Sequence, residues 1–448
     1  MNKREYALFK RCFEYYSADG EFRKTMDESP AEAVKSLGYG DELDAEAVRG
    51  AVRYLCYREG SRSNPYLNAM YEVQRAPTAM VEKSHARGSF RSEDLYHYLR
   101  NQRNRCSMES KLIRGNTLVQ YFPFAVELCR GCSVQCPFCG FAAESFKGYF
   151  AYTPENAALF RGIVTAAEQL IGPCVGHCPM YFATEPLDNP DYERFALDFR
   201  SIAGNVPQIT TAVADMYPER IRRWIDQLGE DYVHANASFR FSIRTLPQFR
   251  RIMAEYDPEE LTYVEVLAND PESANAYSDS GRVMSGLPRC EEKKRRYSIC
   301  CVSGLKVNML TQTVEFVEPE LPDELYPLGY RVLERRQFET AEDFAHIAAE
   351  LMERYAIAHL PTDRPLCLNR NVELTEKDGL FLFVGDETGY KLGKNRFTEA
   401  IVEQVRNGGT FDAALAPWPL SDGDRRKLYL AADELFSLGY IRILHCDI

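Results

Sequence analysis

The chain has 448 residues, 45% of them hydrophobic, with 66 acidic against 54 basic side chains and a formal net charge of −12. That length and apolar content suit two to four globular domains of roughly 100 to 200 residues each. The acidic balance argues against a general nucleic-acid binder, because phosphate binding needs clustered Lys and Arg, and the most basic stretches, 100–105 and 291–296, are short and interrupted by polar or acidic residues, which reads as a solvated face. The opening residues from Met1 to Lys10 lack the apolar core of a signal peptide, and no run approaches the ~18 apolar residues of a membrane span. A cytoplasmic protein with no membrane partner is expected. Its 14 cysteines are then cluster ligands, reactive thiols or small core residues rather than a disulfide framework.

Residues 1–100 read as a helical region, with Leu8, Cys12, Phe13 and Tyr16 at helical spacing. Ser29, Pro30 and Glu32 offer an N-cap, a first-turn proline and a capping-box acid to a helix that runs toward Leu37 and ends near Gly38. From about residue 118, strand-like and helix-like segments alternate, the signature of a parallel sheet with covering helices. Strands are expected near 119–128, 180–184, 208–214, 239–243, 261–268 and 303–309. Helices open at Thr153-Pro154, Pro190, Pro218 and Leu246-Pro247, the first running to about Ile171. Residues 303–309 and 313–317 read as an antiparallel pair, followed by a helix near 341–355. The last segment has candidate strands at 373–375 and 380–384 and helices at 395–407 and 421–437, the order of a small winged-helix-like fold. Domain limits are expected at 1–100, 101–315, 316–369 and 370–448.

At the end of the first expected strand, Cys132, Cys136 and Cys139 stand at CxxxCxxC spacing. Three such thiolates can hold three irons of a four-iron, four-sulfur cluster and leave the fourth iron open to a small ligand. The alternatives are a zinc knuckle, which would need a fourth ligand such as Cys129, and a set of buried thiols. Against zinc, the next cysteines, Cys174 and Cys178, lie beyond a long helical segment rather than in a second short hook.

The cysteine run, with Phe138 before its last cysteine, resembles the radical S-adenosylmethionine (SAM) superfamily. The resemblance implies an α/β fold built on a partial (β/α)6 barrel and a 4Fe-4S cluster on Cys132, Cys136 and Cys139. The open iron would chelate SAM, and the reduced cluster would cleave it to a deoxyadenosyl radical, fed by an electron donor such as flavodoxin or ferredoxin. Thr184, Glu185 and Pro186 stand where the superfamily has a Gly-Gly-Glu-Pro motif that receives the SAM amino group; the Glu-Pro core is kept and both glycines are replaced. With Phe138 they are carried over as cofactor-binding residues. Ser242 and Arg244, at the end of the fourth expected strand, are candidates for ribose and carboxylate contacts, a guanidinium forking onto a carboxylate. Their alternative is a polar strand end.

Residues 127–134, 183–192, 256–261, 301–304 and 327–330 resemble one branch more closely, the radical SAM epimerases that mature ribosomally synthesised peptides. Within these, the run Leu187-Asp188-Asn189-Pro190-Asp191-Tyr192 is one that SAM chemistry itself does not demand. The resemblance implies abstraction of an α-hydrogen from an L-residue of a precursor peptide, leader plus core, and return of hydrogen to the other face from a cysteine thiol. Cys301 is the expected donor and Cys300 its neighbour, with Cys178 next; adjacent strand residues point to opposite faces, so one of the pair can face a cavity. The alternative is that these are small core residues. The C-terminal segment is similar to modules that capture a leader peptide as an added strand, against a plain structural cap, and the 22–39 stretch faintly resembles leader-like helical domains. Many such maturases carry an auxiliary cluster beyond the barrel, with a cysteine after the second strand of the pair; here Glu318-Pro319-Glu320-Leu321 has none. A crosslink, a backbone excision or another oxidation would share the same radical start, and a peptide-binding partner with a structural cluster is a reading from another class.

Overall fold

In a computed structural model, residues 1–109, 121–236, 238–270, 273–275, 277–284, 294–295, 297–385 and 388–444 are described. The chain opens with α1 (Lys3–Ala18), α2 (Gly20–Glu28), α3 (Pro30–Ser36), α4 (Ala45–Tyr57), α5 (Pro65–Ser84) and α6 (Glu93–Glu109). Asn2, Asp19, Asp44 and Asn64 cap α1, α2, α4 and α5 through their side chains, each satisfying orphan N–H groups of a first turn. The capping box expected at Ser29 does not form, since the Ser29 side chain makes no cap bond and α3 starts on Pro30 alone. Helices α1 to α5 close over a core of their own that includes Phe9, Tyr16, Met26, Val34, Val48 and Leu67. Leu95, Tyr98 and Leu99 of α6 belong instead to the central core.

The central region runs through β1 (Phe122–Glu127), β2 (Cys129–Arg130), β3 (Gly148–Tyr149), α7 (Pro154–Ile171), α8 (Tyr192–Ala203), β4 (Ile209–Thr211), α9 (Pro218–Leu228), α10 (Glu230–Asn236) and β5 (Phe239–Ile243). It continues through α11 (Leu246–Glu255), β6 (Glu265–Ala268), β7 (Tyr277–Ser278), β8 (Lys294–Arg295), β9 (Val302–Asn308), β10 (Thr313–Pro319), β11 (Tyr330–Gln337) and α12 (Ala341–Tyr355). Two sheets carry it. One has the order β1-β9-β10-β11, parallel at β1/β9 and antiparallel beyond; the other is the parallel β4-β5-β6. Phe124, Val126, Leu305 and Val307 on the first and Phe239, Phe241 and Ile243 on the second share a core with Phe160 of α7, Phe195 of α8 and Phe344 of α12.

Two expectations change here. Residues 180–184 are not a strand: the Val126 N–H donates to the Pro179 carbonyl at 3.1 Å and the Ala183 N–H goes to the Glu127 carboxylate, Oε1 at 2.8 Å, so a side chain takes the place of a ladder. Residues 302–308 are a strand, but one that pairs with β1 rather than following β6. The six expected strands therefore do not form one continuous parallel sheet among the described residues. Gly304 shows how closely β9 meets β1, since its φ of +146° and a Cβ that would fall 2.3 Å from the Pro123 carbonyl oxygen admit only glycine. The first expected strand begins at 119 and the basic run spans 291–296; of these, residues 119–120, 291–293 and 296 lie outside the described residues.

The last region comprises β12 (Leu366–Leu368), β13 (Glu373–Lys377), β14 (Leu380–Val384), β15 (Gly389–Gly393), α13 (Arg396–Asn407), α14 (Phe411–Leu415), α15 (Asp422–Ser437) and β16 (Ile441–Ile443). β13, β14 and β15 make an antiparallel meander and β12 pairs with β16, over a core that includes Phe381, Phe383, Ile401, Phe411 and Leu435. A buried ionic junction joins this region to the rest: Arg442 to Glu320 at 2.9 Å and to Glu109 at 3.2 Å, and Arg331 to Glu318 at 2.5 Å. Glu318 and Glu320, the segment without the auxiliary cysteine, are committed to these ion pairs. Among the described residues no helix is long and apolar enough to cross a membrane.

Candidate functional site

The cysteine loop leaves β1 at its C-terminal end, the edge where parallel sheets place ligands. Cys132, Cys136 and Cys139 are each half-buried and form no disulfide. The loop bends back through Gln135, which sits at φ +50°, a left-handed conformation that a non-glycine residue adopts only when its surroundings hold it. Those surroundings are hydrogen bonds. The Gln135 amide, through Nε2, donates to the carbonyls of Cys132 (2.7 Å), Glu144 (2.9 Å) and Ala143 (3.1 Å). From far along the chain, Arg282 donates its backbone N–H to the Cys139 carbonyl at 3.0 Å and its guanidinium to the carbonyls of Cys136 (3.0 Å) and Ala143 and to the Gln135 side chain (2.6 Å). Phe138 packs on Tyr277 and Val283, the strand and turn that deliver Arg282.

A second loop is fastened to the first. The Asp188 carboxylate accepts from the Ser133 N–H at 2.9 Å and from the Ser133 hydroxyl at 2.5 Å, which ties the cysteine loop to the turn that starts at Glu185. Asn189 then holds the base of the cysteine hairpin through the carbonyls of Phe150 (2.9 Å) and Leu128 (3.4 Å). Glu185 is 3% exposed. Its carboxylate accepts from the N–H groups of Ala212 (2.9 Å) and Leu187 (3.2 Å), and the Thr211 hydroxyl also bonds it. Burial nonetheless pushes Glu185 up to about 7, with Asp188 as the near charge. Pro186 is buried behind it and Thr184 is half-buried. From Ala212 the chain of bonds continues to Gln248, which donates to the Ala212 carbonyl at 2.7 Å and accepts from the Arg244 N–H at 2.9 Å. Cys132, Cys136, Cys139, Glu185 and Arg244 are thus brought to one place, close enough that Glu185 and Arg244 both act electrostatically on Cys136.

The wall of this place is the uncovered face of β4-β5-β6. Phe239, Phe241 and Ile243 are buried on the helix side, while Arg240 and Ser242 alternate with them and are half-buried. Thr210 of β4 continues the face and bonds the Tyr181 hydroxyl at 2.7 Å; Arg240 pairs with Glu265 of β6 at 2.7 Å. Ser242 accepts from Asn269 at 3.0 Å. Cys301 is half-buried beside Arg240, and burial pushes its thiol up to about 11. Cys300 is fully buried, with its thiol on the Val302 carbonyl at 3.2 Å, and Cys178 is buried on the Cys174 carbonyl at 3.5 Å. Of the three thiols considered as donors, Cys301 is the one next to the open sheet face.

Sequence reasoning passed over Gln135, Asp188, Gln248 and Arg282 as individual residues. Asp188 and Asn189 lie within the 187–192 run that was singled out without a chemical reason, and their bonds to the cysteine hairpin supply one. Gln135, Gln248 and Arg282 carry no local signal, because their partners are backbone carbonyls of residues distant in sequence.

Burial raises Cys132, and burial together with the neighbouring Cys132 and Cys139 pushes Cys136 up to about 12. Among the described residues no three His, Cys, Asp or Glu side chains gather as they would around a single metal ion. Compared with known proteins, the chain is similar to a protein of Sinorhizobium fredii described as "Uncharacterized protein y4wI", 30% identical over 397 residues that cover 85% of this chain and 76% of the relative. No family model matches the chain. No solved structure matches it.

Proposed function

The chain belongs to the same family as the Sinorhizobium fredii protein y4wI, and we propose that it is a radical SAM enzyme that epimerises residues of a ribosomal precursor peptide. The observation that carries this reading is the hydrogen-bonded chain from the cysteine loop through Asp188, Glu185 and Ala212 to Gln248 and Arg244. It unites the segments assigned to cluster and SAM, although they are far apart in sequence.

The residues fit the implied group. Burial raises the thiols of Cys132 and Cys136, so positive metal charge would favour their becoming thiolates, and thiolates are the donors iron–sulfur clusters take. Cys132, Cys136 and Cys139 would hold three irons. Thr184 and Glu185 would face the SAM amino group, Arg244 its carboxylate and Ser242 its ribose, with Phe138 and Pro186 shaping the loops behind. When bound, the reduced cluster and SAM supply a deoxyadenosyl radical that takes the α-hydrogen of an L-residue.

Cys301 then acts from the opposite side. Its S–H bond breaks, a new Cα–H bond forms with inverted configuration, and the thiyl radical left on sulfur regains one electron from flavodoxin or ferredoxin and one proton from solvent. Arg240 and Tyr181, on the same wall, offer donors to the carbonyls of a bound peptide. The meander β13-β14-β15 leaves one free edge on each outer strand, which suits leader capture by strand addition.

The test is anaerobic co-production with the neighbouring precursor peptide in deuterated water, read by tandem mass spectrometry. One deuterium at each modified α-carbon with no other mass change is expected, and its loss in Cys301→Ala. Loss of hydrogens or of a backbone fragment, without deuterium, sinks the epimerase and leaves a crosslinking, excising or oxidising maturase. A chain that binds iron and never cleaves SAM is a peptide-binding partner with a structural cluster.

A further inference from the structure

We propose that Arg282 is the latch of the cysteine loop, a positioning residue that fixes Cys136 and Cys139 for the cluster and sets a permanent positive charge beside it. The inference deepens the cluster reading above and rests on it for its second half.

Arg282 bonds the carbonyls of two of the three proposed ligands, one through its backbone and one through its guanidinium, and it also holds Gln135 and Ala143 on the far side of the bend. A planar guanidinium can serve several acceptors at once, which an ammonium cannot do with the same geometry. The turn that carries it is built for the approach. Gly281 has φ +55°, and a Cβ there would fall 2.4 Å from both the Cys139 and Gly140 carbonyl oxygens, so the backbone comes in where a side chain would stand. Its N–H donates to the Pro327 carbonyl at 2.6 Å, and a Cβ on Gly140 would fall 2.6 Å from both the Ser280 hydroxyl and Ile299 Cδ1. Pro327 belongs to the 327–330 segment whose likeness to the peptide epimerases had no chemical account. The latch supplies one: that turn braces Gly281, and Gly281 lets Arg282 reach the cysteines.

Two consequences separate the latch from a merely structural arginine. Without the guanidinium the loop opens more often, because charge-assisted bonds to part-buried carbonyls are lost. With a cluster on three thiolates the site gains negative charge on reduction, so removing a nearby cation makes reduction harder.

The first arm uses the full-length, metal-free chain and follows amide hydrogen exchange over 132–144 by mass spectrometry. Arg282→Met should speed exchange there by about tenfold or more while α13 exchanges as before; unchanged exchange overturns the latch. The second arm reconstitutes the chain anaerobically with iron and sulfide. Arg282→Met should hold less iron, lose it faster to a chelator, and show a more negative midpoint in an electron paramagnetic resonance titration. Arg282→Lys should keep the wild-type midpoint and still lose iron faster. Full iron, wild-type chelator resistance and an unchanged midpoint in Arg282→Met overturn the proposal. Where Arg282→Met does not fold, Gln135→Ala removes the other side of the clasp and must speed exchange in the same segment. If the wild-type chain takes up no iron, the cluster reading fails, and the exchange arm alone decides the latch.

Discussion

Two buried glutamates, Glu185 in the candidate site and Glu320 at the junction with the C-terminal region, are 3% and 0% exposed and are driven in opposite directions. Glu320 faces Arg105, Arg331 and Arg442, which hold it down at about 2 against its burial. Glu185 meets only N–H and hydroxyl donors with Asp188 nearby, and burial lifts it to about 7. The junction balances its charges within the chain, with three arginines on Glu109, Glu318 and Glu320. Among the described residues Glu185 has no ion pair, which supports its assignment to the ammonium end of SAM.

The largest effect that would break this comparison is on the cysteines. Serine at Cys132, Cys136 or Cys139 should abolish iron binding and SAM cleavage together, as measured by iron content and by release of deoxyadenosine, while Cys129→Ser leaves both intact. Loss of iron in Cys129→Ser would return the zinc knuckle to consideration. Next in size, Glu320→Ala leaves three arginines with too few partners and should cost about 3–5 kcal/mol in urea denaturation. Iron uptake by the folded fraction should be unaltered.

The pH dependence sharpens the contrast further. Glu320 has its folded pKa below the ordinary 4.5, so its contribution is present above 4.5 and lost as pH falls from 4.5 toward 2. Glu185 has its folded pKa above 4.5, so its protonated form favours the fold below 4.5 and that advantage is lost as pH rises through 7. Glu185→Gln should therefore flatten the decline in stability between 4.5 and 7, seen as a pH series of denaturation midpoints, and weaken SAM binding. A variant whose midpoints still fall across that window would remove Glu185 as the cause. Smallest of all, Asp188→Asn weakens the two bonds to Ser133 by about 1 kcal/mol; it should raise the SAM concentration needed for half-maximal cleavage more than it lowers melting temperature.

Much of the architecture is legible in local chemistry. Thr153-Pro154, Pro218 and Leu246-Pro247 start α7, α9 and α11 where expected, because a first-turn proline fixes the backbone and gives up an N–H that no helix would use. Phe239–Ile243 was found because its alternation is the burial pattern of a half-covered strand. Residues 180–184 misled because their apolar pattern serves a packed loop, with the Glu127 side chain in place of a partner strand. The antiparallel pairing of 302–308 with 313–317 was legible from the short turn between them, whereas the parallel pairing with β1 was not, because a strand's sequence shows which face is buried and not which distant neighbour it joins. β11, β12 and β15 were missed; the first sits on an outer edge with mostly charged residues, the others are too short or too rich in glycine to stand out. In the site, ligand-type residues could be read from spacing, whereas the clasp around them could not, since a carbonyl acceptor leaves no trace in sequence.

Arg11 of α1 reaches across to the central region and donates to the carbonyls of Met253 and Tyr256 at 2.8 Å each. Those carbonyls belong to the end of α11 and the residue just after it, and the loop from there leads into β6 and the open wall. A shortened chain lacking α1 would strip a guanidinium from two buried acceptors and leave the end of α11 unplugged. The N-terminal helices are thus a buttress, and any attempt to work with the central region alone begins with a loosened sheet wall.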